Sequence, residues 1–139
     1  SAQTSAIPTL APFAYGTDKV IGVNLGGWFV LEPWITPSIF EGTNNSAIVD
    51  EYTFGQFQDP NVALNTLKNH WATWITESKH IHDFKTMAAA GLNHVRIPFG
   101  YWSIPTGEPV SPFIPGAWPY LMQALQWARN RGIHVIVDL

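Results

Sequence analysis

The chain contains no cysteine. That single absence excludes disulfides, thiol nucleophiles and cysteine-based zinc sites, and it leaves the redox compartment open. Charge is also scarce. Asp, Glu, Lys and Arg make up 12% of the 139 residues, against ~25% in an ordinary soluble domain. So few charges cannot solvate the outside of a small isolated globule, which is expected of a piece covered by further chain. The seven Lys and Arg are scattered and the net charge is −3, so neither nucleic acid nor an anionic membrane is an expected partner. No apolar run approaches the ~18 residues of a membrane span. No basic-then-apolar segment opens the sequence, the pattern expected of a processed mature form.

Aromatic and apolar residues are abundant instead, at 14% and 46% of the chain. Residues 1–19, with Pro8 and Pro12, read as an irregular arm. Val20 to Leu25 reads as an apolar strand closed by Gly26-Gly27. A long aromatic segment broken by Pro33, Pro37, Gly42 and Pro60 follows. A short helix is expected over Asn61 to Trp71, anchored by Val62, Leu64 and Leu67. A firmer one is expected over His80 to Ala90, where Ile81, Phe84 and Ala88 share a face, with Gly91 as its C′ residue. Leu92 to Ile97 is the second strand. A Pro-rich loop leads to a second firm helix from Pro119 to about Gly132, and His134 to Leu139 is the third strand.

Strand–helix–strand–helix–strand with apolar strands predicts an α/β fold with a parallel sheet. A dinucleotide-binding domain needs G-x-G-x-x-G after the first strand. Here Leu25-Gly26-Gly27-Trp28 offers a bulky indole in place of a phosphate cradle. The connection to the second strand is also too long for such a domain. A (β/α)8 TIM barrel tolerates long βα loops and usually needs ~250 residues. The expectation is therefore one domain, 1–139, supplying about the first three strands and two helices of such a barrel. The last strand has no turn signal after it, so the remainder of the barrel is expected as a second chain or a missing segment.

Several side chains fall where a barrel assembles its chemistry, at the C-terminal ends of strands. Arg96 keeps its charge and needs a carboxylate or a substrate oxygen, so it is either a pocket group or half of a rim ion pair. Glu32 is a lone carboxylate among apolar neighbours in Leu31-Glu32-Pro33-Trp34. It either meets polar ligand groups, is tuned for proton transfer, or is an exposed loop glutamate. Trp28, Phe29 and Trp102 suit a core. Trp34 and Tyr101 suit either a core or a pocket whose rings stack on sugar C–H faces. Trp71, Trp74, Trp118 and Trp127 read as helix packing residues. His80 and His82 point to different helix faces, and His70, His94 and His134 lie in separate elements, so no metal is expected. His94 reads as a packed, hydrogen-bonded histidine. The triplet Asn44-Asn45-Ser46 is a glycosylation acceptor in a polar stretch expected to be an exposed loop.

Val23-Asn24-Leu25-Gly26-Gly27-Trp28-Phe29-Val30-Leu31-Glu32-Pro33-Trp34 resembles the segment that opens the barrel in fungal exo-β-1,3-glucanases of glycoside hydrolase family 5. The likeness recurs in order at Asp50-Glu51-Tyr52, His70 to Glu77, Gly91 to Pro98, Gly100-Tyr101-Trp102 and Ile136 to Leu139. It covers the chain from about Val20 onward. The resemblance implies a secreted or cell-wall retaining hydrolase without cofactor or metal, trimming glucose from the non-reducing ends of β-1,3-glucan. It also implies that the acid/base and nucleophile glutamates come from the fourth and seventh strands. Glu32 would then hold hydroxyls of the terminal sugar, Arg96 would support the nucleophile, and Trp34 and Tyr101 would line the pocket. By the same resemblance the isolated chain is expected to be inactive. The alternative is a non-catalytic glucan-binding protein that kept only the first part of the barrel. One departure from the family spacing, Ser78-Lys79-His80-Ile81-His82, is expected to lengthen the start of the following helix.

Overall fold

Period-two alternation divides the second strand between two environments. In the computed structural model, which describes residues 9–139, Val95 and Ile97 point to one face of the sheet and are fully buried. His94, Arg96 and Pro98 point to the other. The strand they form, β2 (His94–Pro98), lies between β1 (Gly22–Asn24) and β3 (His134–Asp138), and both pairings are parallel. Asn24 sits level with Arg96, Arg96 with Ile136, and Pro98 with Asp138. The α/β fold with a parallel sheet is therefore present as three strands.

Five α-helices connect them, where one short and two firmer helices were expected: α1 (Pro37–Glu41), α2 (Glu51–Gln56), α3 (Pro60–Thr73), α4 (Asp83–Ala89) and α5 (Trp118–Asn130). The first two lie inside the long connection that reads as irregular. Pro37 and Pro60 look like breaks in the sequence, yet both are first helical residues, where a missing N–H costs nothing. Asp50 caps α2 by accepting the Thr53 N–H at 2.7 Å, while the Thr53 hydroxyl accepts the Asp50 N–H. Asp59 caps α3 by accepting the N–H groups of Asn61 and Val62.

α3 buries Ala63, Leu67, His70 and Trp71, whereas the expected anchor Val62 is exposed and Leu64 only half-buried. Trp71 is in the core as expected, but Trp74 is substantially exposed. α4 starts three residues later than expected and leaves Ile81 in solvent. The extra residues 78–82 form a loop closed by a Glu77–His82 bridge, not a longer helix. Glu77 anchors that loop, binding the Lys85 N–H at 2.8 Å and Arg131 at 2.9 Å. Gly91 ends α4 at φ +89, the left-handed backbone that favours glycine. α5 begins at Trp118, with Pro119 in second place.

The core lies between the Val95–Ile97 face of the sheet and the helices, with Phe84, Leu121, Ala124 and Ala128 fully or nearly fully buried in it. Trp28 and Phe29 stack at 4.2 Å within it, as their position after β1 predicts. Among the described residues no helix is long and apolar enough to cross a membrane. None of their acidic and histidine side chains gather into a group that could hold a metal ion. Of the expected N-terminal arm, residues 9–19 contain neither helix nor strand, only a single bridge between Tyr15 and Asp18. Residues 1–8, with Pro8, lie outside the described residues.

Candidate functional site

The open face of the sheet carries polar groups at both ends. At the end where the strands begin, His94 is enclosed beneath Phe13 and Tyr15, the Phe13 ring meeting it edge-on at 4.6 Å. The Tyr15 hydroxyl lies 2.7 Å from His94 Nε2, and His94 Nδ1 lies 2.7 Å from Asn93 Oδ1. Asn93 Oδ1 also accepts the Ile21 N–H, and its amide nitrogen donates to the Lys19 carbonyl, which fixes the amide's orientation. His94 therefore carries its proton on Nδ1 and accepts at Nε2. Desolvation and the stacked His134, 5.1 Å away, push its pKa down. His94 is the packed histidine that its sequence position suggests.

At the opposite end, where the strands finish, Arg96 donates from Nη1 to Asn24 Oδ1 at 2.6 Å and from Nη2 to Asp138. Register explains both contacts. Asn24 is level with Arg96 on the neighbouring strand, and Asp138 is two residues beyond the level position on the other side, on the same face. Of the two readings open for Arg96, the ion pair is present. The guanidinium nonetheless stays half exposed on the open face.

Glu32 is linked to this group through a glycine pair. Its Oε1 accepts the Gly27 N–H at 3.0 Å, and its carbonyl accepts the N–H groups of Ile35 and Thr36. A side chain on Gly26 would place its first carbon 3.0 Å from both Asn24 Nδ2 and Glu32 Oε1. Asn24 and Glu32 thus flank one glycine, and Arg96 reaches that glycine through Asn24. Gly27, at φ +69, makes the turn that brings its N–H round to the carboxylate.

The glycine pair is held from outside by α3. His70 Nε2–H donates to the Gly27 carbonyl at 2.6 Å, and the Trp74 indole N–H donates to the Gly26 carbonyl at 3.3 Å. One helical turn separates the two donors, so both face the turn together. Burial pushes the His70 pKa down against the opposing effect of the backbone at Gly27 and Trp28. Trp28 returns the attachment, donating its indole N–H to the Trp71 carbonyl at 2.9 Å.

Trp34 stands at the tip of the Glu32 turn and is 78% exposed, which removes the core reading for it. Tyr101 is 60% exposed and begins a single 3-10 turn, Tyr101–Ser103, on the loop after β2. Trp102 lies flat against Phe113 at 4.0 Å. Asn44 sits on an exposed turn after α1 with φ +51, and it makes no hydrogen bond to the other site residues. The structure brings Arg96 and Glu32 together through Asn24 and Gly26, and it sets Trp34 and Tyr101 on two separate loops at the same end of the sheet. Four contributors were missed from sequence: Asn24, His70, Trp74 and Asp138. A signal existed for His70 and Trp74, whose i, i+4 spacing puts two ring N–H groups on one helix face. No local signal marks the cross-strand partners Asn24 and Asp138.

No family model matches the chain. It is 49% identical to a Blumeria graminis protein named glucan 1,3-beta-glucosidase, over 91% of this chain and 29% of that one. It is 46% identical to a probable glucan 1,3-beta-glucosidase A of Aspergillus niger, over 100% and 33% of the two chains. Among solved structures, a rutinosidase from Aspergillus niger superposes with a TM-score of 0.75 at 28% identity, over 88% of this chain and 33% of that one. The chain spans about a third of the length of the relatives it matches. Across that shared third, the chain is similar to fungal proteins named glucan 1,3-beta-glucosidase.

Proposed function

We propose that residues 1–139 are the first part of one (β/α)8 catalytic barrel, and that the complete protein releases glucose from the non-reducing ends of β-1,3-glucan. The observation that carries this reading is the Glu32 carboxylate seated on the Gly26–Gly27 turn, with exposed Trp34 beside it and Arg96 reaching the same turn through Asn24. An acceptor for hydroxyls, an exposed ring for a sugar C–H face and a fixed cation are the elements a hexose pocket requires. The likeness to proteins named glucan 1,3-beta-glucosidase supports the substrate class.

The chemistry follows the retaining route. One glutamate from a later strand protonates the glycosidic oxygen as the bond to the anomeric carbon breaks. A second glutamate attacks that carbon to form a glycosyl-enzyme, with the two carboxyls ~5–5.5 Å apart. Water, deprotonated by the first glutamate, then releases β-glucose. In this scheme Glu32 holds hydroxyls of the terminal sugar, Arg96 keeps the nucleophile ionised, and Trp34 and Tyr101 line the pocket. No cofactor takes part. The protein is secreted to the cell wall or medium, and Asn44 on its exposed turn accepts a glycan.

The test is to incubate the full-length protein with reduced laminari-oligosaccharides and follow the products by proton NMR. Glucose released one unit at a time as the β-anomer is the expected result. Release of larger oligosaccharides would overturn the exo assignment. Binding without cleavage would mark a glucan-binding protein, and neither binding nor cleavage would remove the substrate class.

A further inference from the structure

α2 carries a carboxyl that the proposed chemistry does not use. Glu51, its first residue, is only 5% exposed. Its Oε2 accepts the Leu31 N–H at 2.7 Å, one residue before Glu32. Its Oε1 is buried without a well-formed hydrogen bond, and so is the indole Nε1 of Trp102. The Trp102 loop lies against this helix, since Phe113 stacks on Trp102 and meets Tyr52, the residue after Glu51, and the indole opposes the desolvation of the Glu51 carboxyl. Burial of a carboxyl at this depth is costly unless its oxygens meet donors. Here Oε2 has the Leu31 N–H, and Oε1 has no hydrogen-bond partner among the described residues.

The rest of α2 fits the same role. A side chain on Gly55 would collide with the Pro112 carbonyl, its first carbon falling within 2 Å of that oxygen, so the helix lies directly against the loop after β2. Phe113, next in that loop, stacks on Trp102 and meets Tyr52 edge-on at 5.5 Å. α2 is therefore wedged between the loop that bears Glu32 and Trp34 and the loop that bears Tyr101 and Trp102.

We infer that Glu51 is a positioning residue for the sugar pocket: its buried carboxyl holds the Leu31 amide of one pocket loop while its helix packs against the loop that bears Trp102, and so fixes the spacing between them. This rests on the proposed glucan-binding reading for its functional consequence, but not for the contact itself. Glu51 touches no substrate. It acts through the position of Glu32 and Tyr101.

The full-length protein is compared with Glu51→Gln, Glu51→Leu, Trp102→Phe and the double variant Glu51→Leu with Trp102→Phe. Two readouts are taken: hydrogen exchange of the peptides around 31–36 and 101–104, and kcat and KM on laminari-oligosaccharides. Glu51→Leu is expected to speed exchange in both loops together and to raise KM about tenfold, with kcat changed less than about threefold. Adding Trp102→Phe removes the second orphaned group, so the double variant is expected to recover part of the loss. Should Glu51→Leu fail to fold, Glu51→Gln keeps an acceptor oxygen for the Leu31 N–H but loses the charge, and is expected to show the same pattern at smaller size. Faster exchange in only the Leu31 loop, additive single effects, or equal losses in kcat and kcat/KM from a smaller active fraction would each overturn the inference. A wild-type protein that ignores β-1,3-glucan would end the functional reading, while the exchange data would still decide whether Glu51 braces the two loops.

Discussion

His70 donates its Nε2–H to the Gly27 carbonyl at 2.6 Å while Glu32 accepts the Gly27 N–H at 3.0 Å. One glycine residue thus couples a buried helix histidine to the carboxylate of the candidate pocket. The helix fixes the turn, and the turn fixes the acid. A loop that carries function is usually held this way, by a rigid element behind it.

Replacing His70 with Ala removes the only side-chain donor to the Gly27 carbonyl among the described residues and leaves that buried oxygen without it. Such a loss costs about 1–3 kcal/mol, and urea unfolding of the full-length protein should register it as a lower midpoint with an unchanged slope. Because the turn also seats Glu32, KM for laminari-oligosaccharides should rise in the folded variant. Unchanged KM would separate the helix clamp from the pocket.

Gly26→Ala probes the other side of the same turn. The added carbon would lie 2.9 Å from Ile35 Cδ1 and 3.0 Å from both Asn24 Nδ2 and Glu32 Oε1. Something must shift, at a cost of about 1–3 kcal/mol for overpacking. The displaced groups are the two that connect Arg96 with Glu32, so affinity for oligosaccharide is expected to fall at least about tenfold if about 1.4 kcal/mol of that cost is borne by the binding geometry. Calorimetric titration checks it. An alanine variant with wild-type affinity would show that the spacing of Asn24 and Glu32 does not matter.

These contacts divide cleanly into those a sequence can display and those it cannot. The three strands, Gly91 at φ +89 and the buried Trp28–Phe29 pair follow from local pattern, because alternation, backbone handedness and hydrophobicity act over a few residues. α1 and α2 were hidden by Pro37 and by shortness, although the Asp50–Thr53 cap offered a legible start. The buried face of α3 is not the one that Val62 and Leu64 mark, because His70 belongs to the buried stripe and a polar residue there looks like the exposed side. The Arg96 contacts span 72 residues to Asn24 and 42 to Asp138, so only the register of the sheet reveals them.

Arg96→Lys keeps the charge but loses the planar fork that reaches Asn24 and Asp138 together. The pair is half exposed, and exposed ion pairs contribute only about 0–1 kcal/mol to stability. Thermal unfolding of the variant should therefore stay close to wild type. If Arg96 supports the nucleophile, the loss appears in turnover: a fall in kcat of about 10–100-fold corresponds to one charge-assisted hydrogen bond at the transition state. A large drop in stability with kcat preserved would assign Arg96 to the ion pair alone.

His94 gives the fold a pH dependence whose sign can be worked out. Desolvation and the neighbouring His134 hold its folded-state pKa below its ordinary value, which is about 6.5. As pH falls, the unfolded chain takes up this proton first, so acid favours unfolding. The stability is fully present above about pH 6.5 and is lost as pH drops below that value toward the folded pKa. His70, also depressed, slopes the same way, whereas Glu51, pushed up to about 7 by burial, slopes the opposite way. Subtracting the profile of a His94→Gln variant from that of the wild type cancels both and isolates His94. The difference in unfolding midpoint is expected to widen from pH 5 to pH 8, because glutamine carries no proton to lose and cannot reproduce both the Tyr15 and Asn93 contacts. A difference that stays constant across that range would mean that His94 titrates alike in the folded and unfolded chains.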